Sequence, residues 1–349
     1  MTILTLRQQQ ILEIIESTPQ CTISVISEKL LGQSISIPTL NRDLAFLVGE
    51  GFVEKHGKAR NTYYRLSASY GLFRPISLDV YFEKEPDIRN GNTGFNDAVL
   101  MTLENIASFT QAELEELSQL QARYQDNIAD YPATLFQKEM ERLTIELSWK
   151  SSQIEGNTYS LLDTERLFLE HEKAPNKPES DATMLLNHKS ALGYLLENPV
   201  LATHITVPFI EDLHSLLIQD LGVGRNLRSR SVGVTGTAYK PLDNIYQIRE
   251  ALERICHLIN QKTNAFEKAL LAVLFISYLQ PFEDGNKRTA RMLGNALLIH
   301  GGMCPLSYRS VDSIDYKKAM LLFYEQNNLS AFKRLFLEQV RFSVSNYFQ

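Results

Sequence analysis

Two arginines, Arg288 and Arg291, stand at the end of the stretch Gln280-Pro281-Phe282-Glu283-Asp284-Gly285-Asn286-Lys287-Arg288-Thr289-Ala290-Arg291. An apolar run from Ala269 to Leu279 precedes this stretch and a helical pattern from Met292 to His300 comes after it, so it reads as a turn that opens a helix. The backbone N–H groups of Gly285, Asn286 and Lys287 would then lie at a helix N-terminus, where hydrogen bonding and the helix dipole favour phosphate. Arg288 and Arg291 occupy neighbouring parts of one helix surface and can grip phosphate oxygens. Asp284 is a hard oxygen ligand, suited to Mg²⁺ bridging a carboxylate and a polyphosphate. The plainer alternative is a surface loop with a structural Arg–Asp pair; the two arginines and the buried helix before the turn favour a phosphate site.

A second carboxylate is placed as if to meet that turn. Phe136, Met140, Leu143 and Leu147 mark one face of a long helix, Ser151 and Glu155 extend the row, and Gly156-Asn157 stops it. A glutamate near a helix C-terminus gains nothing from the dipole. At the end of an apolar stripe it is pointed into a cleft or toward something buried.

The elements that must hold these residues belong to a chain of 349 residues with a net charge of −6, long enough for two or three units with a sizeable core. The acidic balance argues against a surface wholly devoted to nucleic acid but leaves local basic patches open. Cys21, Cys256 and Cys304 are scattered and odd in number, which predicts inert reduced thiols. The start of the chain lacks the pattern of a secretory leader, and Ala269–Leu279 is too short to span a bilayer, so a soluble cytoplasmic protein with no membrane partner is expected.

Residues 1–68 form a pattern of their own. Thr5, Thr22 and Ser36 each open a short helix, and Thr18-Pro19 and Gly32 end the first two. In the third, Leu40, Leu44, Leu47 and Val48 point inward and Thr39, Asn41 and Arg42 outward. Next come Phe52-Val53, a turn at Gly57 and the alternating Thr62–Leu66, and the whole resembles a winged helix-turn-helix domain. Such a domain would put Thr39, Asn41 and Arg42 in the major groove and the cations Lys55, Lys58 and Arg60 on phosphates. A protein–protein or dimerisation module is the alternative, since Asp43, Glu50 and Glu54 dilute the charge. Residues 69–133 read as a helical connector, with an amphipathic helix over Glu113–Tyr124, and residues 134–349 as the main, mostly helical domain. Within it Arg228–Pro241, rich in β-branched residues and glycine, predicts a hairpin.

The central stretch resembles the signature of Fic (Fido) proteins, H-x-F-x-D/E-G-N-G-R-x-x-R, through Phe282, Asp284, Gly285, Asn286, Arg288 and Arg291. Ser151–Gly156 resembles that family's inhibitory motif, S/T-x-x-x-E-G/N, which places an inhibitory helix at about 145–157, and Gly236, Tyr239 and Pro241 lie where the family keeps its flap. The resemblance covers roughly residues 134 to 345. It implies a mainly α, all-helical Fic fold with a β-hairpin flap that binds ATP and Mg²⁺ and transfers AMP to a Ser, Thr or Tyr hydroxyl of a target protein, here unidentified. By position, Asp284 would hold the metal, Asn286 and Arg288 the α/β-phosphates and Arg291 the γ-phosphate, with Gly285 and Lys287 completing the cradle. Glu155 would pair with Arg291 and displace the γ-phosphate.

Two departures matter. The family's general-base His is Gln280, and an amide can orient a hydroxyl but cannot take its proton. The third glycine is Lys287, a lysine also found in Doc-type relatives that transfer a phosphoryl group but retain the His. Three readings stand: an autoinhibited transferase; a catalytically inactive, nucleotide-sensing regulator that binds DNA through residues 1–68; and removal of AMP from a modified protein by water that Glu155 activates. A homodimer is left open.

Overall fold

The side-chain oxygens of Thr5, Thr22 and Ser36 accept backbone N–H groups of the turns they open, starting α1 (Leu6–Ser17), α2 (Ile23–Lys29) and α3 (Ile37–Gly49). This computed structural model describes residues 4–18, 20–30 and 35–349. The stops assigned to Pro19 and Gly32 lie outside the described residues. Ile11, Leu12, Ile26, Leu40, Leu44 and Leu47 form a core beneath β1 (Val53–His56) and β2 (Tyr63–Leu66), which pair antiparallel with Val53 opposite Leu66. Gly57 turns the chain out of β1 with φ +77°, and a Cβ there would lie 2.1 Å from the Asn61 carbonyl oxygen, so only glycine fits. Asp43 faces inward, 6% exposed, and accepts from Arg7 Nε at 2.5 Å.

This first unit reaches Pro75 and includes Asn328–Ser330. Its last helix, α4 (Ala68–Phe73), packs Tyr70 edge-on against Phe52, and Asn328 donates to the carbonyls of Gly71 and Arg74.

The second unit comprises Ile76–Asn327 and Ala331–Gln349. Its helices are α5 (Leu78–Phe82), α6 (Ala98–Asn105), α7 (Gln111–Ala129), α8 (Ala133–Ile154), α9 (Leu161–Leu169), α10 (Glu179–Glu197), α11 (Val207–Leu217), α12 (Ile245–Gln261), α13 (Ala265–Leu279), α14 (Asn286–His300), α15 (Ser313–Gln326) and α16 (Ser330–Asn346). Every residue from Ala269 to Leu279 is buried, so α13 is the axis of this unit, packed on α12, α14 and α15. On the far side of α14 lie α8, α10 and α11. Cys21, Cys256 and Cys304 are buried free thiols. Among the described residues no helix is long and apolar enough to cross a membrane.

The central turn opens α14 at Asn286, with Gly285 at φ +80° as its N-cap. One expectation is corrected. Residues 228–241 do not form a hairpin: among the described residues the pairing there is one parallel bridge, Lys240 to Gly94. The buried Arg228 side chain holds the two arms instead, donating to the carbonyls of Arg230 (2.8 Å) and Leu242 (2.5 Å). Their backbone groups therefore do not meet in a ladder.

Candidate functional site

The site begins where α13 stops. Gln280 caps that helix in a left-handed conformation, φ +49°, and its amide turns back to donate to Ser277 O at 2.6 Å and toward the Tyr324 hydroxyl at 3.4 Å. The Tyr324 hydroxyl itself donates to Ser277 O at 2.6 Å, and burial raises its pKa well above the ordinary value. Neither group is a base at neutral pH.

Asn286 closes the loop by a reciprocal pair, accepting from Phe282 N and donating to Phe282 O, both at 2.8 Å. Its carboxamide is thus committed to shaping the turn. The first intrahelical bond of α14 runs from Thr289 N to Gly285 O, so the N–H groups of residues 286–288 precede the hydrogen-bonded ladder. Gly285 is forced by geometry: beyond its positive φ, a Cβ would lie 2.9 Å from Ile218 Cγ2. His214 stacks on Phe282 with ring centroids 3.6 Å apart and donates from Nε2 to Asp284 O at 3.0 Å. Burial lowers its pKa to about 4, so it braces the loop as a neutral ring.

Beneath the turn, Arg228 is a buried cation serving carbonyls. Besides its contacts to Arg230 and Leu242, it donates to Gln280 O at 2.6 Å and Leu279 O at 3.5 Å, where the dipole of α13 is negative. It therefore fixes the first residue of the loop together with both arms of the flap segment.

Glu155 lies just past the last turn of α8 and enters the site from the other side. Its Oε1 accepts from Arg291 Nη2 at 3.0 Å, and Lys287 Nζ lies 3.5 Å from its Oε2. Burial alone would raise the Glu155 pKa, but Arg291, Lys287 and Arg288 outweigh it and the net shift is downward. Arg291 is fully buried and also donates to Ser151 Oγ at 2.9 Å and Ser151 O at 2.8 Å. Ser151 Oγ in turn lies 3.0 Å from His188 Nε2, whose other nitrogen meets Met184 O at 2.9 Å. With its pKa lowered to about 3 by burial, His188 is neutral: Nδ1–H donates to Met184 and Nε2 accepts from Ser151.

A cleft of about 390 Å³, within the range of small-ligand sites, opens here. Glu155, Gln280, Lys287, Arg288, Val232–Thr235, Tyr316 and Tyr324 line it, with Arg291 buried behind Glu155. Asp284 reaches it with 67% of its side chain exposed and binds Arg288 Nη2 at 2.9 Å through Oδ2. Among the described residues there is no cluster of three or more carboxylate, histidine or cysteine groups. A divalent cation here would therefore rest on one carboxylate and complete its shell from phosphate and water, which fits Mg²⁺.

Of the flap residues expected from the sequence, Gly236 forms an exposed turn at φ +85°. Tyr239 and Pro241 are buried, and Tyr239 anchors the segment by donating to Tyr278 O at 2.8 Å. In the first unit, Asn41 and Arg42 are exposed on α3, Thr39 is half-buried and Lys58 is exposed; the side chain of Arg60 lies outside the described residues. His188, His214 and Arg228 belong to no motif visible in the sequence. Each histidine stands alone on an apolar helix face, and the only available signal was that such a residue needs a buried polar partner.

Residues 204–298 match the model of the Fic/DOC family. A protein adenylyltransferase Fic of Nematostella vectensis is 29% identical over 180 residues, covering 48% of this chain and 40% of that protein. The fic-1 adenylyltransferase of Caenorhabditis elegans is 26% identical over 159 residues, covering 44% and 31%. The chain thus spans well under half the length of these relatives. Among solved structures, C. elegans Fic-1 (residues 134–508) aligns with TM-score 0.56 at 20% identity, covering 68% of this chain and 72% of that one. A Fic-domain signaling protein from Bacteroides thetaiotaomicron aligns with TM-score 0.54 at 20% identity, covering 66% and 94%. These likenesses establish the fold.

Proposed function

We propose that this chain, whose residues 204–298 carry a domain of the Fic/DOC family, is an ATP-binding Fic protein held closed by Glu155. Its chemistry, when open, would be transfer of AMP to a protein hydroxyl. The observation that carries the reading is the position of the Glu155 carboxylate, seated between Arg291 and Lys287 on the cradle a polyphosphate would use. In the open chain the N–H groups that begin α14 and the guanidinium groups of Arg288 and Arg291 would take the phosphate oxygens. Asp284 would hold Mg²⁺, which neutralises phosphate charge when bound. The acceptor oxygen forms a bond to the α-phosphorus, the bond between that phosphorus and the α–β bridging oxygen breaks, and pyrophosphate leaves. The hydroxyl proton needs a base, and Gln280 offers none. Phosphate binding and transfer are therefore separable in this chain, with transfer restrained twice, by Glu155 and by Gln280. Opening the site tests the reading. By isothermal titration with Mg-ATP, Glu155→Gly is expected to bind at least about tenfold more tightly than wild type, the loss of one charge-assisted competitor. Absent binding in both would sink the nucleotide site, and equal binding in both would sink the Glu155 latch.

A second role is favoured by the burial of Asp43 against Arg7. With that acid turned inward, the outer face of α3 presents Asn41 and Arg42. The first unit then reads as a winged helix-turn-helix that holds DNA, and a chain that senses ATP without turning it over would serve as a regulator. Full-length protein should shift duplex DNA with a steep salt dependence that Arg42→Ala/Lys58→Ala weakens. A shift unchanged by the double substitution would refute this assignment of the surface.

A further inference from the structure

We infer that Lys287 is a two-position ligand, clamping Glu155 when the site is closed and gripping phosphate when it is open. The proposal rests on the nucleotide-site reading above and adds a residue to its regulation. Lys287 and Arg291 are four residues apart on α14 and share one face, so both side chains reach the same carboxylate. They divide it: Arg291 takes Oε1 at 3.0 Å, and the Lys287 ammonium stands 3.5 Å from Oε2. The pair is sheltered, with the side chains of Lys287 and Glu155 26% and 19% exposed. A glycine at position 287 would leave Oε2 without this cation.

The same arrangement creates an anion site once Glu155 leaves. Two cations at i and i+4 on one helix face repel each other, and the departing carboxylate uncovers both at once, beside the N–H groups that begin α14. An anion with several oxygens is the ligand that answers this, and a polyphosphate supplies it. Lys287 therefore works against ATP in one state and for it in the other. A residue that was only a latch, or only a phosphate ligand, would act in one direction.

Mg-ATP affinity measured in four proteins reads the difference: wild type, Lys287→Met, Glu155→Gly and the double variant. In Glu155→Gly, where only the phosphate contact remains, Lys287→Met is expected to weaken binding roughly three- to tenfold; in wild type the loosened clamp offsets that loss, so affinity is expected to change by less than about twofold. Equal weakening in both backgrounds, or no change in Glu155→Gly, overturns the proposal. A thermal double-mutant cycle on Lys287→Met and Glu155→Gln without nucleotide tests the clamp alone. Coupling of the two substitutions supports it and additivity overturns it, even if Glu155→Gly binds no ATP and the nucleotide reading itself falls.

Discussion

Glu155→Gly/Gln280→His is expected to incorporate α-labelled phosphate from ATP roughly 10²–10⁴-fold faster than Glu155→Gly alone, the usual contribution of a positioned general base. Gln280 caps α13 at φ +49°, a conformation histidine tolerates better than most residues. Its neighbours Ser277 O and Tyr324 OH could orient an imidazole as they now orient the amide. The exchange replaces a group with no proton affinity near neutrality by one that titrates near about pH 6.5. The γ-labelled substrate should leave no label, since the pyrophosphate departs. If neither protein is labelled, transfer does not run through a base at this position, and the Gln280 site is one for sensing nucleotide. If both are labelled at the same rate, the amide is no handicap.

Arg291→Met is the second large effect. The guanidinium is fully buried, and its loss takes a donor from Ser151 Oγ, Ser151 O and the Glu155 carboxylate together. Breaking a buried pair typically costs about 3–5 kcal/mol; Glu155 keeps Lys287 and some solvent, so the lower end is expected. For a unit of this size that is a fall in Tm of roughly 6–12 °C, with Mg-ATP binding lost even when Glu155 is also glycine. The effect depends on pH with a definite sign. The Glu155 pKa is lowered in the folded chain from its ordinary value of 4.5, so the stability it contributes is fully present above that value. It is lost as pH falls through the lower folded value. Wild type and Arg291→Met should therefore converge in Tm as the solution is taken below pH 4.5. A gap that stays constant down to about pH 3 would mean that Arg291 is held by Ser151 rather than by Glu155.

What could be read from the residues was whatever is local or periodic. Thr5, Thr22 and Ser36 announce their helices, and the row that ends in Ser151 and Glu155 has helical spacing. The pairing of Glu155 with Arg291 was implied by the resemblance to the Fic motifs, since spacing alone says only that Glu155 points into a cleft or toward something buried. The hydrogen bonds that brace the two could not be read in either way. His188 meets Ser151 across 37 positions, and Arg228 meets Gln280 O across 52, with neither contact written into a local pattern. Arg228 also explains the misjudged hairpin: β-branched residues and glycines in Arg228–Pro241 signal extended chain, but one guanidinium took the role that cross-strand bonds would have played. The same limit hides α5 and α6, short helices in a stretch with weak periodicity, and the assignment of Asn328–Ser330 to the first unit.

Glu155 lies one residue past the end of α8, and this decides how such a latch opens. The turn that carries it is closed by three backbone bonds, from Glu155 N and Asn157 N to Ser152 O and from Gly156 N to Gln153 O, each 3.0 Å. One turn back, Ser151 is pinned by Arg291 and His188. Opening by way of this turn would have to break those bonds and uncover Ser152 and Ile154, both fully buried, so the open state would be a minor population. Under the proposed latch, only that open fraction would admit ATP, and the apparent affinity would be the intrinsic affinity scaled by that fraction. Whatever partner or temperature change loosens this single turn would act as an activator without touching the nucleotide.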